Sequence, residues 1–305
     1  MSITDLHLLH SVQIGSAGPT LLGGIVAQSG RTGSTIRGEL VSGSVYAIFQ
    51  SLISQSPRAG FTTVQIERAL DKTGVQFWDM GTATQDVTLF AQKAVQAGTR
   101  AGASAHRSFN VVKGLLVPRT LTVAHQEDAQ LEYELIVTHD GSANDPILQN
   151  ENVSLPAIVD DEHFTLKSVQ IGGISIAEVR NLTIDFGIDV RAEGSDSEIT
   201  ESFAYVNNIV PTITVNTMDI LAMKSDAIPF GSAAVTHANT IITLQKRASG
   251  GKYESSGSDL TFTMAGQATA ESFHEASGNE PQMTTIQVQG KFDGTNAPLV
   301  FTSPA

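Results

Sequence analysis

One short strand is written twice in this chain. Leu9–Gly15 reads LHSVQIG and Leu166–Gly172 reads LKSVQIG, so six of the seven residues are identical. Ser11 and Ser168 occupy the same place in the two copies and are 157 positions apart, about half of the 305-residue chain. A repeat at this spacing predicts two similar domains in tandem, each large enough to own a core.

Further matches follow in the same order along both halves. Asp140–Ile147 (DGSANDPI) resembles Asp293–Leu299 (DGTNAPL) at an offset of 153. Three fainter matches lie between these anchors: Thr62–Ile66 with Thr212–Val215, Thr88–Lys93 with Thr243–Lys246, and Phe109–Gly114 with Leu260–Gly266. The ordered series predicts a tandem duplication, with domains over residues 1–155 and 160–305. The polar, proline-marked stretch Asn150–Pro156 precedes the second domain.

The composition favours strands over helices. Only 16% of the residues are charged, and Gly, Ser and Thr are abundant beside many Val and Ile. Strict alternation over Leu182–Val190 predicts one half-buried antiparallel strand. Other strands are predicted at Leu121–Val123, Leu131–Val137, Ile213–Val215, Thr240–Leu244, Thr284–Val288 and Leu299–Phe301. We expect a mainly β fold of two tandem β-sandwich or β-barrel domains with long loops.

One short helix is expected in each half. Ser44–Ile53 spaces its apolar residues like a helical stripe, with Ser44 as the N-cap, and Glu198–Val206 is the corresponding segment. Glycine-rich stretches predict loops that reach onto a neighbour in an assembled particle; they are Gly15–Gly24, Gly98–Gly102 and Lys246–Gly257. Gly30–Gly33 (GRTG) also reads as a loop.

No stretch has the spacing of a catalytic, cofactor or metal site. Gly15–Gly24 fits neither phosphate-binding pattern. Asp160–His163 (DDEH) ends in a potential metal ligand, but consecutive residues of an extended chain point apart, so we interpret it as a solvated linker. Asp140–Asp145 lacks the distal glutamate of a calcium loop. The Asp-Gly pairs at Asp140 and Asp293 are typical of two-residue hairpin turns.

Single reactive residues do not indicate an enzyme. The chain has no cysteine, which excludes disulfides and thiolate zinc sites. No two histidines have i, i+4 spacing, and no serine lies in a nucleophile elbow; the histidines are His7, His10, His106, His125, His139, His163, His237 and His274. A Ser-His-Asp set stays open because such groups meet only in the fold. Phe77 and Trp78 are expected to anchor a core or an interface. We predict no catalytic, cofactor-binding or metal-binding residue and no cofactor.

The charge balance limits the partners. The net charge is −13, from 18 basic and 31 acidic residues without a basic block, which disfavours binding to DNA or to an anionic membrane. Residues 1–15 lack the basic start and apolar core of a signal peptide, and no run of 18 apolar residues is present. We therefore expect a soluble protein made in a cytoplasm.

The chain resembles the tail tube proteins, or major tail proteins, of tailed bacteriophages. The resemblance rests on the S-V-Q-I-G strands at Ser11 and Ser168, on the pattern Tyr46…Phe49…Pro57…Thr62-Thr63, and on the D-G-x-x-(N)-x-P turns at Asp140 and Asp293. It implies β-barrel or β-sandwich domains with a flanking helix, in stacked rings whose inner strands line a channel for DNA. It also implies, for a duplicated subunit, a trimeric ring that mimics six-fold symmetry. The chain carries no evident immunoglobulin-like decoration, so a plain tube is expected.

The resemblance also sets expectations for partners and place. The chain would bind itself, as a trimer rather than a hexamer, and other tail proteins, in the virion after synthesis in the host cytoplasm, without a membrane. DNA would pass through the lumen without specific binding. The acidic surplus serves either a lumen that repels DNA or solubility alone. Alternatives are a baseplate, tail-terminator or capsid-decoration protein, a two-domain β-sandwich module for glycans or cell surfaces, and an unrecognised hydrolase.

Overall fold

The fold is known from a computed structural model. It describes residues 6–31, 35–40, 47–53, 57–81, 84–94, 101–141, 145–158, 162–195, 201–219, 228, 235–248, 253–254, 257–275 and 283–304. Strands make up 63% of the structure and helix 4%, in large antiparallel sheets. The predicted mainly β fold is therefore confirmed.

The first half contains the following elements: β1 (Leu6–Ile14), β2 (Thr20–Leu22), β3 (Ile25–Arg31), β4 (Thr35–Leu40), β5 (Ala47–Ile53), β6 (Arg58–Thr63), α1 (Ile66–Thr73), β7 (Trp78–Asp79), β8 (Val87–Ala94), β9 (His106–Val111), β10 (Gly114–Ala124), β11 (Gln130–Val137) and β12 (Ile147–Val153). The second half contains these strands: β13 (Phe164–Ile171), β14 (Ile174–Ile176), β15 (Val179–Asp185), β16 (Ile188–Glu193), β17 (Phe203–Ile209), β18 (Thr212–Thr217), β19 (Val235–Lys246), β20 (Leu260–Glu275), β21 (Met283–Gly290) and β22 (Leu299–Thr302).

Two large sheets and two hairpins hold these strands. The smaller sheet has the order β12-β9-β8-β1-β2, and β4-β5 and β16-β17 are separate hairpins. The larger sheet runs β14-β13-β19-β20-β21-β18-β15-β10-β11-β6-β3, with β22 beside β20 and β7 beside β10. The pairing of β10 with β15 makes this sheet continuous from one half of the chain to the other. The division into two domains stays a prediction.

The same pairing order occurs in both halves. The pairs β1·β2, β1·β8, β8·β9 and β9·β12 recur as β13·β14, β13·β19, β19·β20 and β20·β22. The pairs β10·β11, β6·β11, β3·β6 and β4·β5 recur as β20·β21, β18·β21, β15·β18 and β16·β17. Three register shifts recur as well, so each ladder position in one half has an identifiable counterpart in the other.

These shared register shifts lie in the ladders that β1, β3 and β10 form. They fall between Leu9/Ser11 and Leu166/Ser168, between Ile25/Ala27 and Val179/Asn181, and between Pro118/Thr120 and Ala270/Ser272. A bulge places an extra residue on one strand and increases the local twist. The twice-written SVQIG sequence therefore begins at the same bulge in both halves.

The two helix predictions are wrong. Ala47–Ile53 is strand β5, and Phe203–Ile209 is strand β17, because each pairs with a neighbouring strand whose ladder overrides the local helical spacing. Ser44 and residues 198–200 lie outside the described residues. The helix is instead α1, Ile66–Thr73, whose buried face consists of Ile66, Ala69, Leu70 and Thr73. That spacing of i, i+3, i+4 and i+7 was present in the sequence.

The long strand predicted over Leu182–Val190 is two strands. Gly187 separates β15 from β16 with φ of +61°, and a Cβ there would lie 1.8 Å from the Val210 carbonyl oxygen. Leu182, Ile184 and Ile188 are buried as the alternation predicted. The chain therefore leaves the large sheet at Gly187 and enters a hairpin.

The other predicted strands fall within β10, β11, β18, β19, β21 and β22. Two loop predictions need correction: Thr20–Leu22 forms β2 within Gly15–Gly24, and Gly30 and Arg31 belong to β3. Residues 98–100 of the loop predicted at Gly98–Gly102, and residues 249–252 and 255–256 of the one at Lys246–Gly257, lie outside the described residues. Trp78 packs against the core, as expected, whereas Phe77 is exposed.

Candidate functional site

The acidic stretch before β13 is a structural contact. Asp160 and Asp161 lie outside the described residues. Glu162 is buried, and its carboxylate lies 3.1 Å from Nε of Arg68 and accepts a hydrogen bond from the Arg68 backbone amide. His163 Nδ1 lies 3.1 Å from Asp128 Oδ2. The interpretation as a solvated linker is therefore wrong for Glu162, which ties the start of the second half to α1.

The two Asp-Gly turns do not close hairpins. Strands β21 and β22 both pair with β20, and β11 and β12 belong to different sheets. In the second turn, Asp293 Oδ1 accepts hydrogen bonds from the backbone amides of Thr295 and Asn296, at 2.8 and 2.7 Å. These bonds lower the pKa of the Asp293 carboxyl to about 2, the Asn296 amide contributing most. The turn carries the chain from β21 to β22, which pair with different parts of β20.

The part of the chain that the structure describes holds no candidate metal centre. No group of three His, Asp or Glu side chains there could hold a metal ion. No helix in the described ranges is long and apolar enough to cross a membrane. The feature that does stand out is a strand junction.

The junction joins β10 of the first half to β15 of the second. Five residue pairs are in antiparallel register, from Thr120 opposite Asp185 to Ala124 opposite Asn181. The ladder extends at both ends, because the amide of Phe186 donates to the Arg119 carbonyl and that of His125 to the Arg180 carbonyl. Main-chain pairing thus seals an edge that each half would otherwise expose.

The inner side of the junction is apolar and fully buried. Leu121 lies opposite Ile184, and Val123 lies opposite Leu182. All four side chains are at most 1% exposed and belong to the one hydrophobic cluster. Burying a side chain of this size stabilises the fold by about 1.5–3 kcal/mol. The junction is therefore part of the core rather than a surface contact.

The outer side of the junction carries Arg119. Its Nε donates to Glu134 Oε2 at 2.7 Å, and its Nη1 donates to the carbonyl oxygen of Ile188, at the start of the β16–β17 hairpin. The hairpin is also held where the amide of His139 donates to the Glu201 carbonyl. Arg119 lies at the bulge of β10, so its side chain shares the solvent-facing side of the sheet with Glu134.

Each half contributes one strand edge to the junction and keeps the other edge outside it. Within the described residues, β3 pairs only with β6, and it ends the large sheet. The outer segment of β20, from Ser272 to Glu275, pairs only with β21 among the described strands. By the shared pairing order, β3 corresponds to β15, and this segment of β20 corresponds to the part of β10 that β15 covers. The chain thus presents, at two separate edges, both members of the junction that it makes internally.

The ladders identify the counterparts of individual residues. In the first half, Arg31 lies opposite Arg58, which in turn lies opposite Ile136. In the second half, Asp185 lies opposite Thr212, which in turn lies opposite Gln289. Arg31 therefore occupies the place of Asp185. Glu271 lies in the bulge between Ala270 and Ser272, and so occupies the place of Arg119.

A cleft lies behind the edge of β3. It has a volume of about 480 Å³ and is lined by Gln28 to Arg31 together with apolar residues that include Leu89, Phe109 and Val111. Gln28 and Gly30 occupy the places that Leu182 and Ile184 fill at the junction. The first half therefore has room behind its edge strand, where the second half is packed.

Sequence reasoning missed these residues because Arg31 lay in a stretch interpreted as a loop and Glu271 carried no motif. The signal that could have found them was the repeat itself, since aligning β3 with β15 places Arg31 against Asp185. No protein-family model matches this chain, and no curated protein matches it.

Proposed function

We propose that the protein is a structural, self-assembling subunit, a tail tube protein of a tailed bacteriophage, whose copies join head to tail into rings. Each ring forms when the β3 edge of one copy adds to the outer segment of β20 in the next. The observation that carries the proposal is the β10·β15 junction, because the chain already makes this contact once and presents both of its members again.

Head-to-tail contacts suit a closed ring. The two contacting surfaces differ, so they are heterologous, and such contacts close when the rotation between units divides a full turn. Since one chain holds two similar units, three chains supply six units and six equivalent junctions, three internal and three between chains. This count favours the trimer over the hexamer.

The uncovered face of the joined sheet suits a channel. In β18 and β21, buried residues alternate with polar ones, so that Thr214, Asn216, Thr285 and Gln287 lie opposite the core. The apolar side chains of these strands, such as Ile213 and Ile286, belong to the buried core, so the polar face is the one that can line the hole of a closed ring. In the second half this face offers neutral amides and hydroxyls, and in the first half its cations Arg58 and Arg119 pair with Glu134. Few cations are therefore left to bind phosphates, which fits passage without adhesion.

A disulfide tests the proposed contact directly. Thr120 and Asp185 are directly opposed at the junction, so Arg31 and Ser272 of two copies are expected to be opposed between chains. Opposed Cα atoms of antiparallel strands lie about 4.5–5.5 Å apart, within the range of about 4.4–6.8 Å that a disulfide spans. The chain has no cysteine of its own. The double variant R31C/S272C, oxidised, should give covalent oligomers on a denaturing gel, ending at three chains.

Single variants provide the control. R31C and S272C alone can link at most two chains, so neither should form the three-chain species. Electron microscopy of the unmodified protein should show three- or six-lobed rings, or hollow tubes with a regular axial repeat. A protein that stays monomeric at high concentration and gives no covalent oligomer in the double variant contradicts the proposal.

A further inference from the structure

We propose that an inverted pair of charges decides which edges meet: Arg31 of one copy binds Glu271 of the next, whereas Asp185 and Arg119 mark the junction inside the chain. This inference rests on the proposed function and adds the rule by which copies select one another. Its partner is a second copy of this chain.

The rule begins with a reversal of sign between corresponding positions. At the internal junction the edge strand carries an acid, Asp185, and the bulge of the receiving strand carries a base, Arg119. At the open positions the edge strand carries a base, Arg31, and the bulge carries an acid, Glu271. Thr120, directly opposite Asp185, follows Arg119 in sequence, so the two charges lie one register step apart.

Both open charges are available to a second chain. Arg31 and Glu271 are exposed, and no ion pair or side-chain hydrogen bond of either is present among the described residues. Arg31 lies at the rim of a cleft of about 400 Å³ that also contains Arg58, Arg119 and Glu134. Arg58 and Arg119 pair with Glu134 there, so Arg31 is the arginine of this cleft that has no ion pair among the described residues and can bind an incoming carboxylate.

The described ladder positions near Glu271 carry neutral residues, which provide no cation to compensate its charge. The ladder positions that hold Arg58, Glu132 and Glu134 in the first half hold Thr212, Thr285 and Gln287 in the second. In the first half, Arg119 is paired with Glu134 at 2.7 Å. The charges that surround the bulge thus differ between the halves, and the bulge at Glu271 suits a cationic edge.

The inversion also discriminates against wrong contacts. If the β3 edge added to β10 of another copy, Arg31 would lie beside Arg119. If the β15 edge added to the outer segment of β20, Asp185 would lie beside Glu271. Both wrong contacts place like charges one register step apart, whereas both right contacts place opposite charges there, so the two halves must alternate around a ring. Inside the chain, Arg119 pairs with Glu134 and Asp185 accepts the Gly187 amide, so their opposite signs mark the junction without an ion pair between them.

Charge reversal tests the rule in the full chain. R31E and E271R each place like charges at the contact, and R31E/E271R restores opposite charges. Reversing one exposed cross-strand pair changes its contact by a factor of roughly 5, so with three contacts in a ring the midpoint concentration of assembly should rise roughly 10-fold. The double variant should return to the wild-type midpoint. Sedimentation velocity at low salt measures the midpoint, and about 1 M salt should remove most of the difference.

Controls separate charge from folding and from the proposed function. K291E makes the same change in net charge as R31E, at an exposed position beyond the other end of β21, and should leave the midpoint unchanged. Thermal unfolding should be the same in all variants, because both side chains are exposed. If the wild-type protein forms rings and both R31E and E271R assemble at the wild-type midpoint, the charge rule is overturned. The proposed function is not affected by that result. A wild-type protein that never assembles overturns both.

Mixing the two single variants gives a second readout. At the two contact positions, the R31E variant carries two acidic residues and the E271R variant carries two basic residues. A ring in which the variants alternate therefore has opposite charges at its contacts, whereas a ring of either variant alone has like charges. A three-membered ring cannot alternate completely and keeps one like-charged contact, so recovery should remain below that of R31E/E271R. No recovery at all on mixing overturns the rule.

Discussion

Strands β3 and β15 occupy corresponding places in the two halves. Among the described strands, β15 is paired on both sides, whereas β3 is paired on one side. Strand β15 is sealed against β10, with Leu182 and Ile184 buried, whereas β3 ends the sheet with Gln28 and Gly30 at the corresponding positions. The two backbones make equivalent ladders. The side chains therefore decide whether an edge is packed within the chain or left open.

An open edge is a liability unless its side chains restrict what can join it. Gln28 and Gly30 replace the apolar pair, so these two positions of the β3 edge carry no large apolar side chain, while an apolar cleft lies behind them. Arg31 adds a charge that repels other cationic edges. The first half thus lacks at β3 the apolar packing that β15 has, and the charge of Arg31 restricts which strand edges can pair with it.

Removing the packed side chain of β15 should have the largest effect on stability. Ile184 is fully buried opposite Leu121. Ile184→Ala, which makes β15 more like β3, should lower the free energy of unfolding by about 2–5 kcal/mol through lost burial and a cavity. Denaturant unfolding followed by circular dichroism measures it.

The matched control is the neighbouring Thr183, which lies on the polar face of the same strand. Thr183→Ala should change the free energy of unfolding by about 0.5 kcal/mol or less. A loss below about 1 kcal/mol for Ile184→Ala would show that the junction is not part of the folded core.

The turn that releases the second hairpin should respond next. Gly187 has φ of +61°, and a Cβ there would clash with the Val210 carbonyl, whereas a Cβ at Gly30 meets no atom within 4 Å. Gly187→Ala should therefore cost about 2–3 kcal/mol, and Gly30→Ala should cost almost nothing. Thermal unfolding of both variants measures the contrast, and equal melting temperatures would contradict it.

The sequence predicted what depends on local pattern. Alternation and β-branching located most strands, and the SVQIG repeat marked two strands that begin at equivalent bulges. The pattern could not show that Leu121 meets Ile184, because that contact joins positions 63 residues apart through the whole fold. The helix predicted at Ser44–Ile53 failed for the same reason, since the pairing of β5 with β4 outweighs local spacing. The importance of Arg31 and Glu271 depends on which residues correspond between the two halves, and the strand pairings establish that correspondence.

The closing turn of the second half should have the smallest effect, and that effect depends on pH. The first turn has one residue more before its proline, and in the second turn the Asp293 carboxylate binds two backbone amides and Asn296 Nδ2. Because these bonds favour the charged form, the pKa of Asp293 falls from 3.8 to about 2 in the folded chain. The turn's contribution is present above pH 3.8 and is lost as the pH falls from 3.8 through about 2.

A carbon-detected NMR titration of the Asp293 carboxyl measures this pKa. Asn296→Ala removes the side-chain bond and keeps both backbone amides, so the pKa should rise but stay below 3.8. An unchanged pKa in Asn296→Ala would show that the backbone amides alone hold the carboxylate. A wild-type pKa near 3.8 would mean that the turn does not form these bonds in solution.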